Sequence, residues 1–350
     1  MRNIEFGHFT LSQSGPTPVI AEIGVNHDGQ LQRAIQLVRI AADCGADAVK
    51  LQIFRAGRLM HNSSTFARYQ QPNAADANPT DMLRRYELSD QDVDAVVAEI
   101  RRLNLMPLAT PFSPEDVERI DRLDLPAIKI ASPDLVNWPL LRRAARTDRP
   151  LLISTGAASI NEISSAVAWL RGWKAQFALL HCISAYPTSS ADANLCWIGE
   201  MEARFGVAVG FSDHTTELMS GALAVAAGAA VVEKHLTWDC AAEGPDHAIS
   251  ADPDEFARYI RLIHVAQQMR GSGGKRVLDV ERDVRTVSRQ SLVAARDIAM
   301  GQLIGEHDLT VQRPGTGIPA SALPSIVGRR SGQYIRAGEM LTWPVISDAA

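Results

Sequence analysis

The sequence predicts an α/β protein: a (β/α)8 TIM barrel followed by a small, mostly β module. Three observations carry this. Short apolar runs alternate with helix-length amphipathic segments eight times between residues 18 and 269. That count suits a closed barrel, whereas an open doubly wound sheet stops nearer about five or six strands. Each run halts on polar residues, the pattern left by parallel strands buried along their length and functional at their C-terminal ends. At Met-Arg-Gly-Ser-Gly-Gly-Lys, 269–275, the rhythm stops and short strands and turns take over. A chain of 350 residues accommodates a barrel of about 250 plus a compact module. The expected division is 1–272 for the barrel, 273–287 for a charged linker and 288–350 for the β module.

In chain order, 18–24 is the first strand. Leu31, Ala34, Ile35, Val38 and Ala41 share one face of a helix over 31–42, with Gly45 placed to cap it. The second strand, 47–54, carries Lys50 and Gln52 on one side, because strand side chains alternate. Residues 55–85 show no clean period, and so long a loop in a compact enzyme reads as functional, here as a lid. Next come helix 90–103, strand 106–110, and helix 114–123 with Ser113 as N-cap and Pro114 at its first position. Strand 127–130, helix 139–146, strand 150–153, helix 160–171 and strand 177–180 continue the alternation. The runs 207–211 and 229–232, separated by a small-residue helix, supply the last two strands, and an amphipathic helix over 254–269 closes the barrel.

Hydrophobic residues make up 46% of the chain and the net charge is −5. These globular, mildly acidic values argue against nucleic acid or a membrane as partner. The sequence shows no signal-peptide core and no run of transmembrane length. Cys44, Cys182, Cys196 and Cys240 show neither CxxC spacing nor a disulfide framework, so they read as reduced thiols of a cytoplasmic protein. No GxGxxG or Walker A loop favours a nucleotide fold.

The chemistry lies at the strand ends. The seventh and eighth runs stop on Ser212-Asp213-His214 and Glu233-Lys234-His235. Neighbouring strands would bring His214 and His235 into one mouth, where two imidazoles can hold a divalent metal with open positions. Lys50 and Lys129, converging with Ser132, Ser154 and Ser212, make an anion pocket suited to phosphate and carboxylate. The competing reading is that Glu22 or Glu233 occupies these lysines, and that a strand-end Ser or Thr serves only as a helix N-cap. His181, just inside an apolar strand, fits a hydrogen-bonded core residue.

Read together, the following motifs resemble the sialic acid synthase family, which includes spore-coat polysaccharide, legionaminate and pseudaminate synthase relatives: Ala21-Glu22-Ile23-Gly24-Val25-Asn26-His27, Val49-Lys50-x-Gln52, Ala109-Thr110-Pro111-Phe112-Ser113, Lys129-Ile130-x-Ser132, Ser154-Thr155-Gly156, Leu180-His181-Cys182 with Tyr186-Pro187-Thr188, Gly210-x-Ser212-Asp213-His214-Thr215, Glu233-x-His235 and Gly244-Pro245-Asp246. The tail, with Ser291-Leu292-Val293-Ala294 and Arg313-Pro314-Gly315-Thr316-Gly317, resembles the antifreeze-like (SAF) domain of those proteins.

The resemblance implies a transferase of the N-acetylneuraminate synthase type. It would condense phosphoenolpyruvate with an open-chain N-acylated amino hexose, giving a nonulosonic acid and phosphate by C–O cleavage. It implies that Lys50, Thr110, Lys129, Ser132, Ser154 and Ser212 hold phosphoenolpyruvate, and that His214 and His235 hold Mn²⁺, with Mg²⁺ or Co²⁺ as substitutes. Glu22, Gln52, Asp134, Tyr186 and Asp246 would meet the sugar, and Arg313 would reach its acyl group from the partner in a domain-swapped homodimer. Either Glu22 or Asp246 would handle protons. Two departures bear on the sugar. Ser132-Pro133-Asp134 stands where relatives have Ser-Gly-Glu or Ser-Phe-Glu, and Ser184 stands where neuraminate synthases have Asn. N-acetylmannosamine and a 2,4-diacetamido-6-deoxy hexose both remain admissible. Outside this reading stand a Schiff-base aldolase using Lys129 or Lys234, and a non-catalytic sugar-binding barrel.

Overall fold

Two strands that the apolar-run count did not anticipate open the chain, β1 (Ile4–Phe6) and β2 (Phe9–Leu11), paired as an antiparallel hairpin. This computed structural model describes residues 4–12, 15–61, 78–271 and 273–347, and the chain divides into two units, Met1–Ser272 and Gly273–Ala350.

In the first unit β3 (Val19–Glu22), β4 (Ala48–Ile53), β5 (Met106–Pro111), β6 (Ile128–Ile130), β7 (Leu151–Ser154), β8 (Phe177–Cys182), β9 (Val209–Asp213) and β10 (Val232–His235) form a closed parallel barrel. They lie in sequence order, and β10 returns to pair with β3. The helices between them wrap the outside. Helix Leu31–Cys44 ends on Gly45 in the left-handed region at φ 86°, and Ser113 caps helix Pro114–Arg122 through the Asp116 N–H.

The two-residue period of a strand sorts the barrel into layers. Low in the interior sit Ile20, Ala48, Leu108, Ala127, Leu152 and Leu180, with Phe6 and Leu11 of the hairpin packed among them. Outward positions such as Ala21, Val49, Leu51, Ile128, Ile153 and Phe211 pack on the helices. Two residues further along each strand from the low interior layer, the inward positions turn polar: Glu22, Lys50, Thr110, Lys129, Ser154, Ser212 and Glu233, together with Cys182.

Three differences from the sequence reading have physical causes. The last two strands end two and three residues beyond their apolar runs, because the barrel's upper interior is polar and Glu233, Lys234 and His235 are themselves strand residues. A helix, Trp197–Phe205, precedes β9; it buries Ile198, Met201 and Phe205. The stretch read as one loop contains helices Ala56–Leu59 and Pro79–Arg85, while residues 62–77, most of the expected lid, lie outside the described residues.

In the second unit β11 (Ser291–Ala294) pairs antiparallel with β12 (Leu309–Gln312). Leu292, Ile298, Ile304, Ile318, Ile326, Ile335 and Leu341 fill its small core. The segment read as a linker carries a helix, Arg282–Ser288, whose approach leaves Val280 and Val284 84% and 59% exposed.

Candidate active site

Lys50 and Lys129 converge in the mouth and are almost completely buried, so each must be paired. Lys50 makes a close ion pair with Glu22 and donates to Thr110 Oγ1 at 3.1 Å. Lys129 donates to Ser154 Oγ at 2.6 Å and to the Ile130 carbonyl at 3.1 Å. Between them lies Glu233, whose Oε1 is 3.8 Å from Lys50 Nζ and 3.7 Å from Lys129 Nζ, and accepts from Ser212 Oγ at 2.9 Å. Both carboxylates named in the competing reading therefore do contact the lysines. Burial drives the Lys129 pKa down, with Lys50 adding to the effect, against the pull of Glu233. For Lys50 the same burial is outweighed by Glu22 and Glu233, and its pKa is raised. Glu22 is raised by burial and by Glu233, against the pull of Lys50. Burial also favours the neutral form of Glu233, but Lys129 and Lys50 prevail and hold it low.

The two histidines face each other across the same cavity, ring centroids 5.7 Å apart. His214 Nδ1 lies 2.8 Å from the Ile183 carbonyl; donating there leaves Nε2 with the lone pair a metal needs. Burial lowers the His235 pKa far below its ordinary value, with His214 and Lys50 adding to the effect, so its ring is neutral. His235 Nδ1 is buried without a hydrogen-bond partner, 3.9 Å from Asp246 Oδ2. Burial pulls the His214 pKa down, but the Cys182 sulfur and the Ile183 carbonyl outweigh it and hold it above its ordinary value, so a divalent ion would take the place of the His214 proton. The neutral His235 with its orphaned nitrogen and His214 then fit an ion completed by water or substrate oxygens. Among the described residues three metal-type ligand atoms gather only at Cys240, Asp252 and Glu255, where both acids already form the capping box of helix Pro253–Arg270.

The remaining candidates spread over a wider area. Gln52 lines the cavity and donates to Glu22 Oε1 at 3.2 Å. Ser132 accepts from the Gly156 N–H at 2.9 Å, and the Tyr186 ring lies tilted against His214 with centroids 4.2 Å apart. Burial and Glu22 push the Asp246 carboxyl up to about 7. Asp134 sits half-buried in the turn Ser132–Val136, accepting from Asn137, and does not line the cavity as Ser132 and Pro133 do. Arg313 belongs to the second unit, where it is exposed.

The sequence names Glu233 only as a partner for the lysines and gives Cys182 no role at the site. Glu233 shares the parity of His235 and Cys182 that of Leu180, so both turn inward. Cys182 Sγ lies 3.5 Å from Ser132 Oγ and 3.6 Å from His214 Nδ1. His181 is a satisfied core residue, bonded to the Ala193 carbonyl at 2.7 Å. Lys234 has the opposite parity from Glu233 and His235. It faces the helices and pairs with Asp213 at 2.9 Å, so of the two Schiff-base candidates only Lys129 stands in the mouth.

Comparison with known proteins places the chain in a family. Residues 37–275 match the NeuB family and residues 289–346 the SAF domain. The N,N'-diacetyllegionaminic acid synthase of Legionella pneumophila is 37% identical over 331 residues, 93% of each chain. The protein of the same name from Campylobacter jejuni is 35% identical over 329 residues, 93% of this chain and 98% of its own. The crystal structure of the N-acetylneuraminic acid (sialic acid) synthetase of Leptospira borgpetersenii superposes with a TM-score of 0.73 at 29% identity, covering 81% of this chain and 95% of its own. The chain belongs to the NeuB family, with a SAF domain following its barrel.

Proposed function

We propose that this protein is a transferase that condenses phosphoenolpyruvate with an open-chain N-acylated amino hexose, giving a nonulosonic acid and phosphate. The observation that carries the reading is one cavity lined by two buried lysines, three serines and two facing histidines. Lys50, Lys129, Thr110, Ser132, Ser154 and Ser212 hold the phosphate and carboxylate. Gln52, Asp134, Tyr186 and Asp246 meet the sugar hydroxyls, and Arg313 of the partner subunit reaches the acyl group.

The charges support a metal. Lys50 and Lys129 are balanced by Glu22 and Glu233, so a multiply charged enol phosphate needs further positive charge. A divalent ion, Mn²⁺ in the first place, held by His214 and His235 would add that charge and Lewis acidity at the sugar aldehyde. C3 of the enol phosphate forms the new bond to the aldehyde carbon, and water adds at C2. The C2–O bond to phosphate then breaks, leaving the keto acid. Glu22, beside Lys50 and Gln52, moves the protons of the water and of the new hydroxyl.

The more similar named relatives make N,N'-diacetyllegionaminic acid, which favours a 2,4-diacetamido-6-deoxy hexose over N-acetylmannosamine as acceptor. The protein acts in the cytoplasm as a domain-swapped homodimer, with 273–287 as the linker; the exposed Val280 and Val284 support a covering partner. Phosphate release from phosphoenolpyruvate with a panel of N-acylated hexoses tests the reading. Release with a diacetamido sugar is expected, and no release with any sugar refutes the assignment.

A further inference from the structure

On β3 to β7 the outward positions are apolar: Val19, Ala21, Val49, Leu51, Ile53, Ala109, Ile128, Ile130, Leu151 and Ile153 pack against the helices. On β8 the outward row ends on the neutral His181, bonded to the Ala193 carbonyl, and β9 and β10 go further by placing charged residues there. Asp213 on β9 and Lys234 on β10 are register partners, both buried among the helices and joined at 2.9 Å. Asp213 sits between the inward-facing Ser212 and His214, and Lys234 between Glu233 and His235. Their ion pair therefore lies directly behind the metal candidates, on the far side of the barrel wall.

The pair is tied into three chain segments. Asp213 Oδ1 accepts from the Thr215 N–H at 2.9 Å and from Thr215 Oγ1 at 2.8 Å, fixing the turn just after His214. Asp213 Oδ2 accepts from Tyr259 OH at 2.8 Å and from Ser220 Oγ. Lys234 Nζ reaches across from β10 to the Thr215 carbonyl at 2.7 Å. Gly221 makes room, since a Cβ there would come 2.5 Å from the Tyr259 hydroxyl. A buried ion pair is a poor source of stability compared with the aliphatic side chains used on β3 to β7, and its best-attested use is to specify geometry.

We propose that the Asp213–Lys234 pair, held by Tyr259, is a positioning clamp that sets the spacing of His214 and His235 for the divalent metal. The inference rests on the reading of those histidines as the metal site. Lys234 and Tyr259 touch neither substrate nor metal, and they act through the backbone of the two strand ends.

Mn²⁺ affinity, read by electron paramagnetic resonance on the full chain, tests this. The variants are Tyr259→Phe, which removes one hydrogen bond without changing charge, and Lys234→Met, with His235→Ala as reference. Both clamp variants are expected to bind Mn²⁺ about 10–100-fold more weakly. Phosphoenolpyruvate affinity of the metal-free protein and far-UV circular dichroism should stay as in the wild type. Removing Lys234 also takes away a cation that disfavours charge on His235, so an electrostatic role alone would tighten Mn²⁺ binding. Wild-type or tighter Mn²⁺ affinity in the folded variants overturns the clamp while leaving the metal site standing. If Lys234→Met does not fold, Tyr259→Phe decides by the same criterion. Mn²⁺ binding that is absent from the wild type, or unaffected by His235→Ala, overturns the metal reading and the clamp with it.

Discussion

Glu233 occupies the space between Lys50 and Lys129, and its Oε2 is buried without a hydrogen-bond partner. In Glu233→Gln two buried ammonium groups share only Glu22, and breaking a buried charge cluster costs about 3–5 kcal/mol. Urea denaturation should show that loss, and inorganic phosphate should restore more stability to the variant than to the wild type. Asp246 gives a pH signature. Its folded pKa of about 7 lies above the ordinary 3.8, so the folded state binds its proton more tightly. That contribution to stability is full below pH 3.8 and is lost as pH rises through 7. Asp246→Asn should therefore melt higher than the metal-free wild type at pH 8, with the gap closing toward pH 4, in thermal scans across that window. His214, His235, Lys50 and Lys129 were legible as isolated strand-end residues. Glu233 was legible as a partner for the lysines, but a run-based reading ends the strand before it and so does not show that it lies between both of them.

At the scale of elements, what was legible followed from periodicity. Helices with caps were placed to within two residues, as with Ile160–Gly172, whose Ser159 and Glu162 form a capping box. Ser159→Ala should cost about 1 kcal/mol in denaturant titration and leave turnover unchanged, because the cap faces solvent away from Ser154. The strand ends were less legible for a reason specific to barrels. The upper interior of a catalytic barrel is polar, so an apolar run ends before its strand does, and β10 was displaced by three residues. The hairpin β1–β2 escaped notice because each strand has only three residues, too few for a period to emerge. The Asp213–Lys234 pair escaped because both residues adjoin histidines, and adjacency in sequence conceals that they face the opposite side of the wall.

For the whole molecule, the barrel was legible because eight repeats of one unit leave few alternatives. The small β unit was legible mainly through its motifs, since its core offers few buried positions. Quaternary structure is not written in periodicity at all, and the proposed homodimer would cover the exposed Val280 and Val284. Sedimentation velocity should give a species of twice 38.0 kDa, and Val284→Glu should shift it toward the monomer.

The proposed division of the mouth, lysines for the enol phosphate and histidines for a metal, is tested most directly by Mn²⁺-dependent phosphate release. The measurement compares the wild type with His235→Ala, using phosphoenolpyruvate and a 2,4-diacetamido-6-deoxy hexose. The wild type should release phosphate only with Mn²⁺ present, stop on addition of chelator and recover on repletion. Folded His235→Ala should release none at any Mn²⁺ concentration. Wild-type release that survives the chelator, or His235→Ala turning over at the wild-type rate, would contradict the account.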